Sequence, residues 1–332
     1  GATKGYIYIR SEYPHAIAVL KAAIAIGRKA SVLGANIAGS NYAFDLEVRV
    51  PARSETTSLR GGWMMETKLR ELAYLGGSLR DGRELAVHFA DRAALTLPAS
   101  NEQGRVRAVV PLPGEPRVGQ WLDWTLVSGA RRFAGRAQWI GDEGLSVVCD
   151  IDDTIKHTQV RQRREMLLNT FAREFTAVPG MAAWAQRMAS TEPGIAFHYV
   201  SGSPLQLLPP LVAFLRGSAF ADGSLHLRDF SLRPSALLDD EATSRHKHTE
   251  IAQLLADHPR RRFVLVGDSG ERDPEVYGEI ARQEPSRIAA VLIRDVTNEP
   301  ADALRYQTAF NGVDSQRWRL FTDPVTLPLR WR

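Results

Sequence analysis

Hydrophobic and polar positions divide the chain into three parts with different periodicities. In the first part, residues 1–41, an alanine- and isoleucine-rich stretch at 16–37 predicts a buried or half-buried helix. Lys21, Arg28 and Lys29 interrupt every window of the roughly 20 apolar residues that a bilayer crossing requires. We therefore expect no transmembrane segment here. An interfacial anchor and a residual targeting segment are the alternatives to a packed helix.

The second part, residues 42–144, consists of short runs in which apolar and polar residues alternate. Examples are "FDLEVRVPA", "ELAVHFA" and "RVRAVVPLPGEP", which are bounded by glycine, proline and aspartate. This period of two between turn-forming residues is typical of antiparallel strands. The pattern predicts a small β-rich, sandwich-like domain. It contains no catalytic constellation, so we interpret it as a binding or positioning module.

The third part, residues 145–332, alternates apolar strands with amphipathic helical segments. The strands are "LSVVC", "IAFHYVSGS", "SLHLRDF", "RFVLVGDSG" and "IAAVLIRDV", and helical stretches such as "KHTEIAQLLADH" separate them. Alternation of this kind is the signature of crossover units and of a parallel sheet that is buried on both faces. The sequence therefore predicts a three-layer α/β domain.

Polar residues follow the apolar part of three of these strands. Asp150, Ser201 and Asp268 take these places, and Asp273 lies close behind the third strand. Ligands of open α/β sheets bind at the carboxyl ends of the strands, so we expect these side chains to converge. The stretch 150–153 also places three carboxylates in four positions, which is costly unless a cation or proton is shared. Without clustered cysteine or histidine, the pattern favours Mg²⁺ over zinc.

Composition narrows the class of protein only slightly. A chain of 332 residues with 44% hydrophobic and 24% charged residues can bury a full core in about two domains, which excludes disordered and fibrous classes. The net charge of +4 permits an anionic substrate or surface, and we expect no nucleic acid partner. The single cysteine, Cys149, excludes an internal disulfide framework. A reducing, cytoplasmic location is therefore predicted.

Four short motifs occur in an order that resembles a known superfamily. They are "DIDDT" at 150–154, "HYVSGS" at 198–203, Lys247, and "GDSGERD" at 267–273. Together they resemble the haloacid dehalogenase superfamily of phosphatases. The longer strings "VCDIDDTIKHTQV", "FHYVSGSPLQL" and "RFVLVGDSGERDPEVYGEI" resemble more narrowly the fungal actin-patch-associated phosphatidate phosphatases and their bacterial relatives, over about residues 105–325.

The resemblance implies a division of roles among the aspartates. Asp150 matches the nucleophile that forms an aspartyl-phosphate. Asp152 matches the general acid that protonates the leaving alkoxide and later activates water. The Asp150 carboxylate, the Asp152 backbone carbonyl and the Asp268 carboxylate would hold Mg²⁺, while Asp273 would support that shell from behind.

The resemblance also implies a phosphate-binding set. Ser201, with Gly202 and Ser203 beside it, supplies a hydroxyl and backbone N–H groups, and Lys247 supplies a cation, for which Arg228 is the alternative. The remaining candidates for substrate contact lie at the end of the first motif or just after it: Thr154, Lys156 and His157. Lys156 and His157 either contact the substrate head group or are surface charges beside an acidic site.

The spacing of the motifs leaves little room for a large cap domain, so we expect an open site. An open site suits a phosphate that is presented at a membrane surface, such as phosphatidate, and a role in lipid metabolism peripheral to the membrane. The alternatives are the same chemistry on a phosphoprotein, a nucleic-acid end or a soluble phosphate ester. A binding protein that keeps the fold without turnover is a third class, but no motif aspartate is missing.

Overall fold

The computed structural model describes part of the chain. The described residues are 45–51, 62–67, 85–89, 95–97, 105–109, 117–128, 131–162, 165–166, 169–170, 173–204, 207–228 and 240–331. The helix predicted within residues 1–41 lies outside them. Among the helices that the structure does describe, none combines the length and apolar character that a bilayer crossing needs. The described residues divide into two compact units, with the main division between Asp142 and Glu143.

A seven-stranded sheet forms the first unit, in agreement with the predicted β-rich module. Its strands are β1 (Asp45–Pro51), β2 (Gly62–Thr67), β3 (Leu85–Phe89), β4 (Leu95–Leu97), β5 (Arg105–Val109), β6 (Trp121–Ser128) and β7 (Arg131–Trp139). Their order across the sheet is β4-β3-β6-β7-β2-β1-β5. Neighbours are antiparallel except β1 and β5, which pair in parallel.

A six-stranded parallel sheet forms the second unit and confirms the predicted α/β class. The strands are β8 (Leu145–Cys149), β9 (Ala196–Pro204), β10 (Ser224–Arg228), β11 (Arg262–Asp268), β12 (Ile288–Arg294) and β13 (Trp318–Phe321). The helices of this unit are α1 (Met181–Thr191), α2 (Leu208–Gly217), α3 (Asp240–Asp257), α4 (Asp273–Gln283) and α5 (Leu304–Ala309). Every strand pair in this sheet is parallel.

The order of the strands places a topological switch point beside β8. Across the sheet the order is β10-β9-β8-β11-β12-β13, so the chain first moves outward from β8 through β9 and then returns to its other side at β11. Connections that diverge in this way leave a crevice at the carboxyl ends of the central strands. Val147 and Val148 of β8 are fully buried, and Asp150 follows directly at this end.

The opposite, amino-terminal end of the sheet is held together by Arg261, which has no exposed area. Its Nε donates to Ser146 Oγ at 2.9 Å, and its guanidinium also donates to the backbone oxygens of Glu143, Leu145 and Gly194. Burial lowers the pKa of Arg261 to about 10. The polar groups that Arg261 satisfies belong to the segments entering β8 and β9, so its role is structural.

Candidate active site

Three buried carboxylates meet at the carboxyl end of the parallel sheet. Asp150 follows β8, Asp268 ends β11, and Asp273 begins α4. One oxygen from each lies within 4.8 Å of the others, and we call these residues the carboxylate triad. Asp273 Oδ2 accepts a hydrogen bond from the Asp268 N–H at 3.2 Å. This approach requires glycine at 267, because a Cβ there would lie 2.2 Å from that oxygen.

The electrostatics of the carboxylate triad fit a hard divalent cation. Burial raises the pKa of Asp150 well above its ordinary value, and burial together with the charges of Asp273 and Glu271 does the same for Asp268. Asp268 Oδ1 is buried and has no hydrogen-bond partner among the described residues. Crowded carboxylates with an unpartnered oxygen and no nitrogen or sulfur donor are the environment that Mg²⁺ prefers.

Lys247 of α3 is the cation that the protein itself brings to this cluster. Its Nζ lies 3.0 Å from Asp150 Oδ1, 2.5 Å from Asp273 Oδ1 and 3.0 Å from Glu271 Oε2. Burial alone would lower the pKa of Lys247, but the three carboxylates outweigh it and raise that pKa well above its ordinary value. The side chain therefore stays charged beside the residue predicted to be the nucleophile.

The Asp152 carboxylate accepts hydrogen bonds on both oxygens. Oδ1 lies 2.6 Å from Lys156 Nζ and 2.7 Å from Thr158 Oγ1. Oδ2 lies 3.0 Å from Ser201 Oγ and 2.7 Å from Ser203 Oγ. Burial would raise the pKa of Asp152, but the charge of Lys156 and these hydrogen bonds hold it well below the usual range. These contacts favour the ionised form of Asp152.

The predicted phosphate-binding serines lie on the carboxyl half of β9. Ser201 is fully buried, and its Oγ accepts the Ser203 N–H at 2.9 Å. Glycine at 202 allows α3 to pack closely, because a Cβ there would lie 2.5 Å from Thr243 Cγ2. Arg228, the alternative to Lys247, donates to Thr243 Oγ1 at 3.3 Å. Among the described contacts, it is Lys247 and not Arg228 that reaches the Asp150 carboxylate.

Thr154 and Lys156, both predicted to contact substrate, have no exposed area. Thr154 Oγ1 donates to Asp150 Oδ2 at 3.0 Å. Lys156 contacts Asp152, so the alternative that Lys156 is a surface charge is wrong. His157 is partly exposed, and burial together with the charge of Arg294 lowers its pKa.

Asp153, the third carboxylate of the acidic stretch, organises the backbone. Its φ of 53° lies in the left-handed region, and its side chain accepts the N–H groups of Thr158, Gln159 and Val160 at 2.7 to 2.8 Å. Aspartate commonly bonds nearby backbone in this way. The acidic stretch therefore has three separate uses: Asp150 joins the carboxylate triad, Asp152 pairs with Lys156, and Asp153 folds the loop.

Two residues of the site were not predicted. Glu271 pairs with Lys247, and burial raises the pKa of its carboxyl group. Arg305 of α5 donates to the backbone oxygens of Ser269 and Glu271 and to the carboxylate of Glu275, so it fixes the loop that follows β11. Glu271 lies inside the motif "GDSGERD", so its charge could have marked it as a candidate site residue from the sequence. Arg305 lies outside every motif, and only the fold brings its guanidinium group to the loop that follows β11.

The parallel sheet, the aspartates that follow β8 and β11, and the buried lysine beside Asp150 define a haloacid-dehalogenase-like domain. Residues 145–295 match the family model described as the catalytic domain of phosphatidate phosphatase APP1. Through this domain, the chain is similar to that family. The resemblance seen in the four motifs is confirmed, although the matched region is shorter than residues 105–325.

Two fungal proteins are each similar to about half of the chain. Phosphatidate phosphatase APP1 of Saccharomyces cerevisiae is 34% identical over 169 residues, which are 50% of this chain and 28% of that protein. An uncharacterised protein of Schizosaccharomyces pombe is 32% identical over 174 residues, which are 50% of this chain and 27% of that protein. The chain therefore spans less than a third of the length of the curated relatives that it matches.

Proposed function

We propose that this protein is a Mg²⁺-dependent phosphatase that hydrolyses phosphatidate to diacylglycerol and phosphate through an aspartyl-phosphate. The observation that carries the proposal is the position of Asp150, whose carboxylate is buried between Lys247 and the other two members of the carboxylate triad. The similarity to the yeast phosphatidate phosphatase supports the choice of substrate. As the single cysteine predicts, we place the activity in the cytoplasm, at a membrane surface.

In the first step, the Asp150 carboxylate attacks phosphorus, and the bond from phosphorus to the alkoxy oxygen breaks. The ion pair with Lys247 and the hydrogen bond from Thr154 fix the orientation of the attacking carboxylate. The product of this step is an aspartyl-phosphate, which splits one difficult displacement into two easier ones. Hydrolysis by water then regenerates Asp150.

The carboxylates of Asp150 and Asp268 and the backbone oxygen of Asp152 would hold Mg²⁺, with Asp273 behind them. When bound, the ion neutralises charge on the transferring phosphoryl group. Lys247 contributes a second positive charge from the protein side, and its contacts with Asp273 and Glu271 keep it in place.

Asp152 serves both halves of the reaction. It protonates the leaving alkoxide in the first half and removes a proton from water in the second half. The anionic state described above suits the second role. In the first role, Ser201 and Ser203 turn their hydroxyl groups from Oδ2 of Asp152 to phosphate oxygens. Oδ2 takes up a proton from solvent water in their place and passes that proton to the alkoxide as it leaves.

The test is phosphate release from phosphatidate in detergent micelles and from a panel of soluble phosphate esters, with Mg²⁺ and with a chelator. The intact chain is compared with Asp150→Asn and with Asp302→Asn, a matched change at an exposed aspartate. We expect chelator and Asp150→Asn each to remove nearly all turnover, and Asp302→Asn to leave it unchanged. Full activity of Asp150→Asn would contradict the covalent route, and faster release from a soluble ester would favour the alternative substrates.

A further inference from the structure

Lys156 is a second buried lysine of the site, and it lies beside Asp152, the second aspartate of the first motif. Lys156 has no exposed area, its Nζ lies 2.6 Å from Asp152 Oδ1 and 2.5 Å from Thr158 Oγ1, and the ring centre of Phe175 is 4.9 Å away. An ammonium group is costly to bury unless it is paired and hydrogen-bonded. The observed contacts with Asp152 and Thr158 meet both conditions.

The backbone fixes Lys156 relative to Asp152. The Lys156 N–H donates to Ile151 O at 2.9 Å, and the Asp153 N–H donates to Lys156 O at 2.8 Å. These bonds join Lys156 to the residues on either side of Asp152. The ammonium group and the carboxylate therefore belong to one closed loop and keep their relative position.

The two oxygens of Asp152 face different surroundings. Oδ1 contacts Lys156 and Thr158, which come from the same loop as Asp152. Oδ2 contacts Ser201 and Ser203, which come from β9 and are the predicted phosphate-binding groups. One oxygen is therefore anchored within the loop, while the other faces the strand where the substrate phosphate is expected.

We propose that Lys156 is a positioning residue, which holds Oδ1 of Asp152 so that Oδ2 points to the oxygen of the leaving group. This inference rests on the proposed phosphatase function. It replaces the expectation that Lys156 binds the head group, because its ammonium is already enclosed by Asp152, Thr158 and Phe175. Without the ammonium group, Oδ1 keeps only its hydrogen bond from Thr158, which carries no charge.

The test uses two substrates that differ in their need for an acid. The alkoxide of dioctanoyl phosphatidate must be protonated as it leaves, whereas 4-nitrophenolate leaves without a proton. We expect Lys156→Met to lower kcat/KM for dioctanoyl phosphatidate by about 100-fold and that for 4-nitrophenyl phosphate by less than about 5-fold. With 4-nitrophenyl phosphate, the variant should also give a burst of nitrophenolate, because Asp152 no longer activates water for the second step.

Three further variants make the result specific. Asp152→Asn should show the same split between substrates, and Thr158→Val, which removes the other contact to Oδ1, should show a smaller one. Arg261→Lys, a change at the opposite end of the sheet, should affect both substrates equally. If Lys156→Met does not fold, Thr158→Val decides the question by the same comparison.

The outcomes separate this inference from the proposed function. If the unaltered chain releases phosphate from neither substrate, the proposed function fails, and the inference fails with it. Suppose that Asp152→Asn lowers kcat/KM for dioctanoyl phosphatidate much more than that for 4-nitrophenyl phosphate. If Lys156→Met then lowers kcat/KM for both substrates equally, or for neither, only the positioning role of Lys156 is wrong. A rise in KM for both substrates at unchanged kcat would instead identify Lys156 as a direct substrate contact and overturn the inference.

Discussion

The Nζ of Lys247 lies 3.0 Å from Oδ1 of Asp150, and both side chains are almost completely buried. Lys247 comes from α3, whereas Asp150 directly follows β8. We expect Lys247→Met to lower kcat by more than about 100-fold and to destabilise the domain by about 3–5 kcal/mol, because it leaves a buried carboxylate cluster without its cation. Steady-state kinetics and denaturant unfolding measure the two effects.

The control for Lys247→Met is Arg245→Met, two positions earlier on the same helix. Arg245 is exposed and pairs only at the surface with Glu241, at 2.8 Å. Surface pairs contribute little to stability, so this variant should keep both its activity and its unfolding midpoint. Equal losses in the two variants would mean that Lys247 acts through the helix and not through Asp150.

Asp268→Asn should stabilise the metal-free protein while removing its response to Mg²⁺. The pKa of Asp268 is raised by burial and by neighbouring carboxylates, so its ionised form destabilises the empty carboxylate triad. Removing that charge should raise the Tm in chelator by about 2–4 °C, and added Mg²⁺ should then produce no further rise. Thermal unfolding with Asp302→Asn as the matched control measures this. A lower Tm in chelator would contradict the expected repulsion.

The affinity for Mg²⁺ should increase with pH. Burial raises the pKa of Asp150 and Asp268, so below the raised values the folded protein holds protons that the ion must displace. We expect binding to tighten, with proton release, as pH rises above about 4, the ordinary pKa of a carboxyl group. Titration calorimetry in buffers of different ionisation enthalpy measures both, and an affinity that does not change with pH would contradict the assignment.

The same shifts determine how the stability of the metal-free protein depends on pH. A carboxyl group whose pKa is higher in the folded than in the unfolded state stabilises the fold at pH values below its unfolded-state pKa, which is about 4. That contribution is lost as pH rises toward the folded pKa. The metal-free protein should therefore lose stability above about pH 4 through Asp150 and Asp268, whereas Asp152, with its lowered pKa, contributes in the opposite direction.

Gly267→Ala should abolish the response to Mg²⁺, although it adds only one methyl group. The new Cβ would lie 2.2 Å from Asp273 Oδ2 and would force that carboxylate away from the Asp268 N–H. Gly217→Ala is the matched control, because a Cβ at 217 would meet no atom within 4 Å. Calorimetric titration with Mg²⁺ compares the two. Unchanged binding in Gly267→Ala would show that Asp273 is not needed behind the ion.

The α/β class could be predicted from the sequence because its signal is local. The buried strands β8 and β11 are mainly apolar, and a polar residue at the carboxyl end of each marks the functional edge of the sheet. The motif order then linked Asp150, Ser201 and Lys247 across long separations. The division of the aspartates among different partners could not be predicted, because it depends on side-chain directions within a single loop.

The partners of other residues depend on contacts that only the fold makes. The charge of Lys156 suggested contact with substrate, yet its ammonium group points inward to Asp152. Arg305 has no motif at all, and only the packing of α5 brings its guanidinium to the loop after β11. A sequence pattern records which residues share a strand or helix, but it does not record which partner satisfies a buried charge.

The two lysines of the site reach their aspartates by routes of very different length. Lys156 lies four positions from Asp152, so this pair forms as soon as the short loop after β8 closes. Lys247 reaches Asp150 only after β9, β10 and α3 have been added to the domain. The contact between Lys156 and Asp152 therefore needs only local loop closure, whereas the contact between Lys247 and Asp150 requires α3 to dock against the sheet.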